Sequence, residues 1–256
     1  LRFTAPLILR GVLQLLYNAA DVVVVGQFAG AQALAAVGST GSLINLLVNL
    51  FMGLSVGASV VVARAYGARD FAAVRRGVQT SMTVSVILGV FVMILGLVLA
   101  KPLLYAMGTP DDVIDQADLY LSIYFAGMPF NMIYTFGAAI LRAVGDTKRP
   151  LYYLMLSVAA NVALNLVLVI VFHMGVAGVA IATVVSQVIS MALVTVCMLR
   201  SDGAIHLDLH KLGVNGAMLK EIVRVGLPAG VQGSLFSISN VLIQSAVNSF
   251  GSTVMA

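Results

Sequence analysis

The chain has 256 residues, of which 61% are apolar and 9% are charged, and its mean hydropathy is +1.05. A soluble domain carries about a quarter charged residues, because its surface must be hydrated. So few charges exclude a soluble fold and predict an all-α polytopic membrane protein whose surface faces lipid. The single Cys197 excludes an intramolecular disulfide.

Apolar runs separated by short polar clusters predict six complete membrane spans and the start of a seventh. Each run has the ~20 residues that a helix needs to cross a bilayer. We expect these spans at residues 3–26, 39–65, 78–106, 117–142, 150–173, 175–199 and 218–249. The sequence starts without Met and ends just after an apolar run, so we expect a piece of a longer protein.

Basic residues alternate between the connections. The connections after the second, fourth and sixth spans are rich in Lys and Arg, whereas the one at residues 101–118 has Lys101 against four aspartates. Short loops rich in Lys and Arg stay in the cytoplasm. This bias predicts a cytoplasmic N-terminus and places residues 101–118 outside. It also accounts for the net charge of +4 without nucleic acid.

Asp21, in the stretch LYNAADVVVVGQFAG, is the only acidic residue in the interior of a predicted span, because the other nine lie in loops or at helix ends. Arg10 is the only basic residue in such an interior position, and it is near enough to the inner end to extend toward the headgroups. The two are about 16 Å apart along a helix, so they cannot pair within it. An ionisable residue inside a membrane is a functional-site hypothesis by default.

Placing Pro6 over Pro228 aligns the seventh span with the first, and glycine and asparagine recur at the same register (Gly11 with Gly233, Asn18 with Asn240). This pattern predicts a parallel repeat of two lobes. We expect a six-helix N-terminal lobe at residues 1–200, a cytoplasmic inter-lobe linker at 201–217, and the truncated start of the second lobe at 218–256. Asp21 aligns with Ile243, so its charge is not repeated.

Three segments with polar interruptions occur in order: GLSVGASVVVARAYGARD, ILRAVGDTKRP and MGVAGVAIATVVSQ. With the opening PLILRGVLQLLYNAADVVVVGQFAG and the run SLINLLVNLFMGLSVGA, they resemble the multidrug and toxic compound extrusion (MATE) family, and more closely its bacterial DNA-damage-inducible branch. The resemblance covers essentially the whole chain. It implies a transporter of two six-helix lobes around a central cavity, of which this chain is the N-terminal lobe plus the first helix of the other.

The resemblance also implies a secondary antiporter that exports cationic, amphipathic compounds in exchange for H⁺ or Na⁺ by alternating access. It implies no enzyme activity and no cofactor besides the coupling ion. The sequence has no P-loop, dinucleotide or zinc motif, which also favours secondary transport. We expect the lipid bilayer and a small cationic substrate as partners, no nucleic acid, and a monomer in the bacterial plasma (inner) membrane.

The family's functional residues can be carried over position by position. Asp21 matches the acidic residue of the first helix, and Pro6 matches the proline where that helix bends. Asn165 falls where several members carry an aspartate, which puts coupling by a pair of carboxylates in doubt. The remaining matches are Asn161 on the fifth helix, Thr183 on the sixth, and Tyr120 on the fourth, for which Tyr124 is a rival.

The spans alone put Asp21, Asn165 and Thr183 very roughly 8–12 Å below the outer surface. Asn161 lies one turn from Asn165 on the same helix face. A carboxylate, two amides and a hydroxyl are a plausible cage for a proton or Na⁺, although each amide and hydroxyl is also an ordinary interhelical hydrogen-bonding group. Residues that either line the cavity or simply pack between helices are Tyr17, Asn18, Asn45, Asn49, Met128 and Asn131.

Three other functions compete with antiport. A lipid-linked oligosaccharide flippase of the same superfamily needs several basic cavity residues to meet phosphate, and the interior offers only Arg10. An intramembrane enzyme needs a second catalytic group at the depth of Asp21. A scaffold protein gives Asp21 no task. In the antiport hypothesis, protonation neutralises Asp21 and lets the first helix bend near Pro6, where a backbone hydrogen bond is missing.

Overall fold

A computed structural model describes residues 4–201 and 203–249, and within them the side chains of residues 4–8, 10, 14, 17, 18, 20 and 50 lie outside the described set. The described residues form helices and no strand, which confirms the predicted all-α fold. The helices are α1 (Thr4–Phe28), α2 (Ala31–Gly67), α3 (Phe71–Ala106), α4 (Asp111–Ala126), α5 (Met128–Ala143), α6 (Lys148–Asn165), α7 (Gly175–Leu199) and α8 (Gly216–Asn248).

Several of these helices are long and apolar enough to cross a bilayer. In the described part of the chain they are α2, α3, α7 and α6 with its π-helical extension, and the bent pair α4–α5 makes a fifth if its two helices count as one span. The helices α1 and α8 have 25 and 33 residues, which is sufficient length to span ~30 Å of hydrocarbon. Their crossing remains a prediction from the sequence.

Two helices start well before the membrane spans that the sequence predicts for them. The expected loop before residue 39 is largely helical, because the alanine-rich segment from Ala31 favours helix. Only Ala29 and Gly30, the latter with a φ of +90°, separate α1 from α2. The helix of the third span starts at Phe71, seven residues before the predicted span start at 78, because the Asp70 carboxylate caps the helix by accepting a hydrogen bond from the Ala73 N–H at 2.9 Å.

The predicted fourth span is two helices instead of one. α4 and α5 meet at Gly127 and are bent by 49°. Pro129 has no N–H for the backbone ladder, and its ring crowds the preceding turn, so a straight helix cannot continue through it. Gly127 lies so close to α7 that a Cβ there would be 2.7 Å from the Val184 side chain.

The predicted fifth span is also irregular. α6 ends at Asn165, and residues Leu166–Val171 continue it as a π-helix, which shifts the faces of the helix past that point. A turn at His173 and Gly175, both with positive φ, leads into α7. This is the tight hairpin that the sequence predicts between the fifth and sixth spans. A short 3₁₀ turn, Leu209–Lys211, lies in the connection from α7 to α8.

α2 is the central helix of the bundle and contacts α3, α4, α5 and α8. Its contact with α8 is extremely close, because glycines lie on both sides: Gly53 and Gly57 on α2, and Gly226 and Gly230 on α8. Small residues let membrane helices approach at backbone distance. The core beneath is apolar and includes the fully buried rings of Phe125 and Phe136.

Candidate ion-coupling site

Four polar side chains from three helices form one buried cluster. Asp21 comes from α1, Asn161 and Asn165 from successive turns of α6, and Thr183 from α7. Their exposed fractions are 5%, 0%, 0% and 1%. The predicted spacing of the two asparagines puts both on the α6 face that meets α1 and α7. The structure thus brings together the three residues for which the sequence predicts a shared layer, Asp21, Asn165 and Thr183, with Asn161 beside them.

The four side chains make a closed ring of hydrogen bonds. The Asp21 carboxylate accepts two of them, one from Nδ2 of Asn165 and one, over 3.3 Å, from the Thr183 hydroxyl. Nδ2 of Asn165 also donates to Oδ1 of Asn161 at 3.2 Å. Nδ2 of Asn161 closes the ring by donating to Oγ1 of Thr183 at 3.5 Å. Each member therefore holds two neighbours, and Asp21 is held as a double acceptor.

One hydrogen-bond acceptor in this ring is unpaired. Oδ1 of Asn165 is buried and has no hydrogen-bond partner among the described residues. An unpaired buried oxygen costs ~1–3 kcal/mol, so a structure keeps one only for a reason. Together with the carboxylate, the Asn161 amide oxygen and the Thr183 hydroxyl, it completes an all-oxygen set. Such a set can accept a proton or a hard cation.

A second layer ties α6 to α7 just beside the ring. The Ser157 hydroxyl donates to the Ser186 carbonyl at 2.8 Å, and the Ser186 hydroxyl donates to the Thr183 carbonyl at 2.7 Å. Both serines are buried. Neither serine is among the residues predicted from the sequence, although a signal is present. Small polar residues recur every three or four positions on these apolar helices, at Ser157, Asn161 and Asn165 and again at Thr183, Ser186 and Ser190.

The two tyrosines of α4 stack on each other, with ring centroids 6.2 Å apart. Tyr124, the rival in the sequence analysis, lies within electrostatic range of Asp21 and beside Gln187 of α7. Tyr120 is buried against it. Tyr124 therefore lies near enough to Asp21 to interact with it electrostatically, and Tyr120 lies one turn away on α4.

The other predicted residues have mixed outcomes. The side chains of Pro6, Tyr17 and Asn18 lie outside the described set, and the backbone of α1 is one unbroken helix from Thr4 onward. Asn45 is exposed. Asn49 and Asn131 are half-buried. Asn49 forms a side-chain hydrogen bond with Ser237 at 2.8 Å, and Asn131 forms one with Thr135 at 3.1 Å. Met128 is fully buried in the apolar core, so in this conformation it lines no open cavity.

An all-helical bundle with a buried carboxylate held by amides and a hydroxyl is typical of an ion-coupled membrane transporter. The family comparison is specific: the MatE family model matches residues 6–167. The chain belongs to the MATE family, and it is a multi-pass membrane protein. This confirms the family resemblance that the sequence motifs indicate.

The relatives carry transport names. The chain is similar to the "Probable multidrug resistance protein YoeA" of Bacillus subtilis (strain 168), with 32% identity over 99% of this chain and 56% of that protein. It also resembles solved MATE structures described as inward-facing (TM-score 0.86, 29% identity) and outward-facing (TM-score 0.86, 30% identity). Those alignments cover 97% and 93% of this chain but 58% and 53% of the structures. The chain thus spans about half the length of its relatives.

Proposed function

We propose that the chain forms the N-terminal lobe of a secondary antiporter that exports cationic, amphipathic compounds in exchange for H⁺ or Na⁺. The observation that carries this proposal is the closed ring of Asp21, Asn161, Asn165 and Thr183. A carboxylate is costly inside a membrane, and evolution keeps one there mainly for ion or proton movement. The drug-resistance names of the relatives support the export of small molecules.

Coupling follows from what the ring can accept. An ionised Asp21 accepts hydrogen bonds from Asn165 and Thr183, as in the structure. A protonated Asp21 has one O–H to donate, so one of those two donors must change its role. The Thr183 hydroxyl can do this by rotating, because it both donates and accepts, whereas the amide of Asn165 would have to turn over and lose its bond to Asn161.

Sodium would use the same atoms differently. The cation needs oxygen ligands, and the ring offers the carboxylate, two amide oxygens and a hydroxyl oxygen. Binding would draw the unpaired Oδ1 of Asn165 toward the ion. In both cases the bound ion neutralises Asp21 and changes how α1 is held against α6 and α7, and a ligand drives transport only if it favours one of two such states.

Alternating access requires the lobe to keep its shape while the cavity changes sides. The chain is equally similar to an inward-facing and an outward-facing MATE structure, at a TM-score of 0.86 in each case. This equality supports movement of the lobe largely as one body, with the site between α1, α6 and α7 carried along. The flippase alternative is not favoured, since the relatives carry multidrug names.

The test is export of a fluorescent lipophilic cation by the whole protein in proteoliposomes, under an imposed proton or sodium gradient. Asp21→Asn keeps the shape of the side chain and removes its charge. Asp115→Asn is the matched control, because it is the same chemical change at a residue that is exposed on α4. We expect Asp21→Asn to reduce gradient-driven export at least tenfold, because ion binding loses its charged partner. Asp115→Asn should match the wild type.

Whichever gradient, of protons or of sodium, drives export by the wild type identifies the coupling ion. If a folded Asp21→Asn protein exports as fast as the control, Asp21 is not the coupling group. If the wild type responds to neither gradient, the antiport proposal itself is wrong.

A further inference from the structure

A second polar feature lies at the opposite end of the bundle from Asp21. There, the start of α3 and the connection between α7 and α8 enclose a cavity of about 380 Å³, which is within the usual size of ligand sites. Four basic side chains line it: Arg75, Arg76, His206 and Lys211. We call it the basic cavity.

The walls of the basic cavity are held in place by buried polar contacts. The amide of Gln79, in the orientation that satisfies both of its hydrogen bonds, accepts from the Asp208 N–H at 2.8 Å and donates to the Asp208 carbonyl at 3.2 Å. The Thr80 hydroxyl accepts from the Asn215 N–H at 3.1 Å. Gln79 and Thr80 are 8% and 1% exposed. The connection is thus packed onto α3, and hydrogen bonds fix the walls of the basic cavity.

Most of its positive charge is not neutralised by the protein. Lys211 pairs with the Asp208 carboxylate at 3.4 Å, and the backbone N–H of His210 holds the pKa of Asp208 below its usual range, so this acid is ionised at neutral pH. Arg75 and Arg76 are exposed and form no ion pair with any described residue. Two guanidinium groups therefore face the same cavity without a carboxylate of their own.

His206 adds a further polar group to the basic cavity. Its Nδ1 lies 2.9 Å from the Ser201 carbonyl oxygen, so Nδ1 carries a hydrogen and donates it. This hydrogen bond fixes the imidazole of His206 on the wall of the basic cavity. The other ring nitrogen, Nε2, has no hydrogen-bond partner in the described part of the chain and is available to a ligand.

The basic cavity lies at the level of lipid headgroups. α3 has 36 residues and is about 54 Å long, which exceeds the ~30 Å of bilayer hydrocarbon. Residues 77–100 contain no charged side chain and by themselves span about 36 Å. The hydrocarbon therefore covers residues 77–100, and Arg75 and Arg76 emerge among the headgroups.

We propose that the basic cavity binds a phosphate group, presented by an anionic phospholipid headgroup or free in solution. Arginine matches phosphate through paired N–H donors, and basic pockets at the headgroup level between helices recruit anionic lipids. A phosphate bound there touches both α3 and the connection to α8. It therefore fastens α8 to the preceding helices at a point remote from the ring around Asp21.

The experiment measures the thermal unfolding temperature of the purified whole protein in two arms. One arm uses nanodiscs of phosphatidylcholine alone or mixed in equal parts with phosphatidylglycerol. The other titrates inorganic phosphate in neutral detergent. The variant R75Q/R76Q removes two charges from the basic cavity. The control K148Q/K220Q removes two exposed charges that do not line it.

We expect phosphatidylglycerol, inorganic phosphate or both to stabilise the wild type and the control, and R75Q/R76Q to bind about 30-fold more weakly. A response only to phosphatidylglycerol identifies a lipid headgroup, and a response to inorganic phosphate identifies a soluble anion. The proposal is overturned if the wild type responds to neither, or if R75Q/R76Q responds like the control.

Asp208→Asn provides a second test that holds even if the double glutamine variant fails to fold. The change keeps an acceptor for the His210 N–H but removes the negative charge that Asp208 places on the wall of the basic cavity. We expect a several-fold rise in phosphate affinity. Unchanged or weaker binding contradicts the proposal.

Discussion

Replacing Gly53 by alanine should force α2 and α8 apart, whereas the same replacement at Gly41, on the same helix, should not. A Cβ on Gly53 would lie 2.2 Å from the backbone N of Gly230 and 2.3 Å from its Cα. Ordinary contacts of a Cβ begin near 3.4 Å. The opposing atoms belong to a helix backbone, so no side chain can turn aside and the helix itself must move, by about 1 Å. On Gly41, by contrast, a Cβ would have no atom of the described residues within 4 Å.

The two variants should therefore change stability in opposite directions. Overpacking of this kind costs ~1–3 kcal/mol. Alanine in place of glycine within a helix returns ~0.5–1 kcal/mol, because the unfolded chain loses freedom. The net expectation is a loss of about 1 kcal/mol, within a range of about 0–2.5 kcal/mol, for Gly53→Ala and a gain of up to about 1 kcal/mol for Gly41→Ala.

The assay is the thermal unfolding of both variants of the whole protein in the same detergent. A change of 1 kcal/mol corresponds to ~2–4 °C in Tm for about 150–250 residues, and to roughly half of that in a protein twice as long. Gly53→Ala should melt a few degrees below the wild type, and Gly41→Ala at or slightly above it. The reasoning is refuted if both variants melt at or above the wild type, because the close contact at Gly53 would then cost nothing.

Two further changes test the ring and a helix cap. Thr183→Val keeps the shape of the side chain but removes the hydroxyl that donates to Asp21, and should lower gradient-driven export about tenfold or more, since a hydrogen bond to a charged group is worth ~1.5–3 kcal/mol. Thr183→Ser keeps the hydroxyl and should stay near wild type; equal export by the two would show that the hydroxyl is not needed. Asp70→Ala removes the cap of α3 and should cost ~1 kcal/mol in thermal unfolding, while Asp70→Asn should not. Identical melting of the two Asp70 variants would argue against the cap.

The sequence alone was enough to predict that the residues of the polar ring lie close together. Counting residues from the outer helix ends put Asp21, Asn165 and Thr183 at one depth, and the rise of a helix is regular enough for such counting to succeed. Counting did not predict which of these side chains form hydrogen bonds with each other. That depends on the rotation of α1, α6 and α7 against one another, which is set by packing and leaves no simple trace in composition.

The breaks in the helices were harder to predict, for a physical reason. Gly127 and Pro129 were visible, but the run around them stays apolar, and a prediction from hydropathy joins both halves into one span. The π-helical segment Leu166–Val171 has even less signal, because its residues are ordinary helix-compatible aliphatics. In a membrane, neighbouring helices can satisfy backbone groups that such breaks release, so the sequence need not mark them strongly.

The hydrogen bonds divide the site into a fixed part and a part that Asp21 controls. α6 and α7 are joined through Ser157 and Ser186 without any titratable group. Among the described side chains of α1, only Asp21 makes hydrogen bonds, and both of its bonds go to α6 and α7. A change of charge at Asp21 therefore leaves the α6–α7 pair intact and alters only the attachment of α1. This asymmetry makes α1 the helix whose position a coupling ion can set, whichever ion it is.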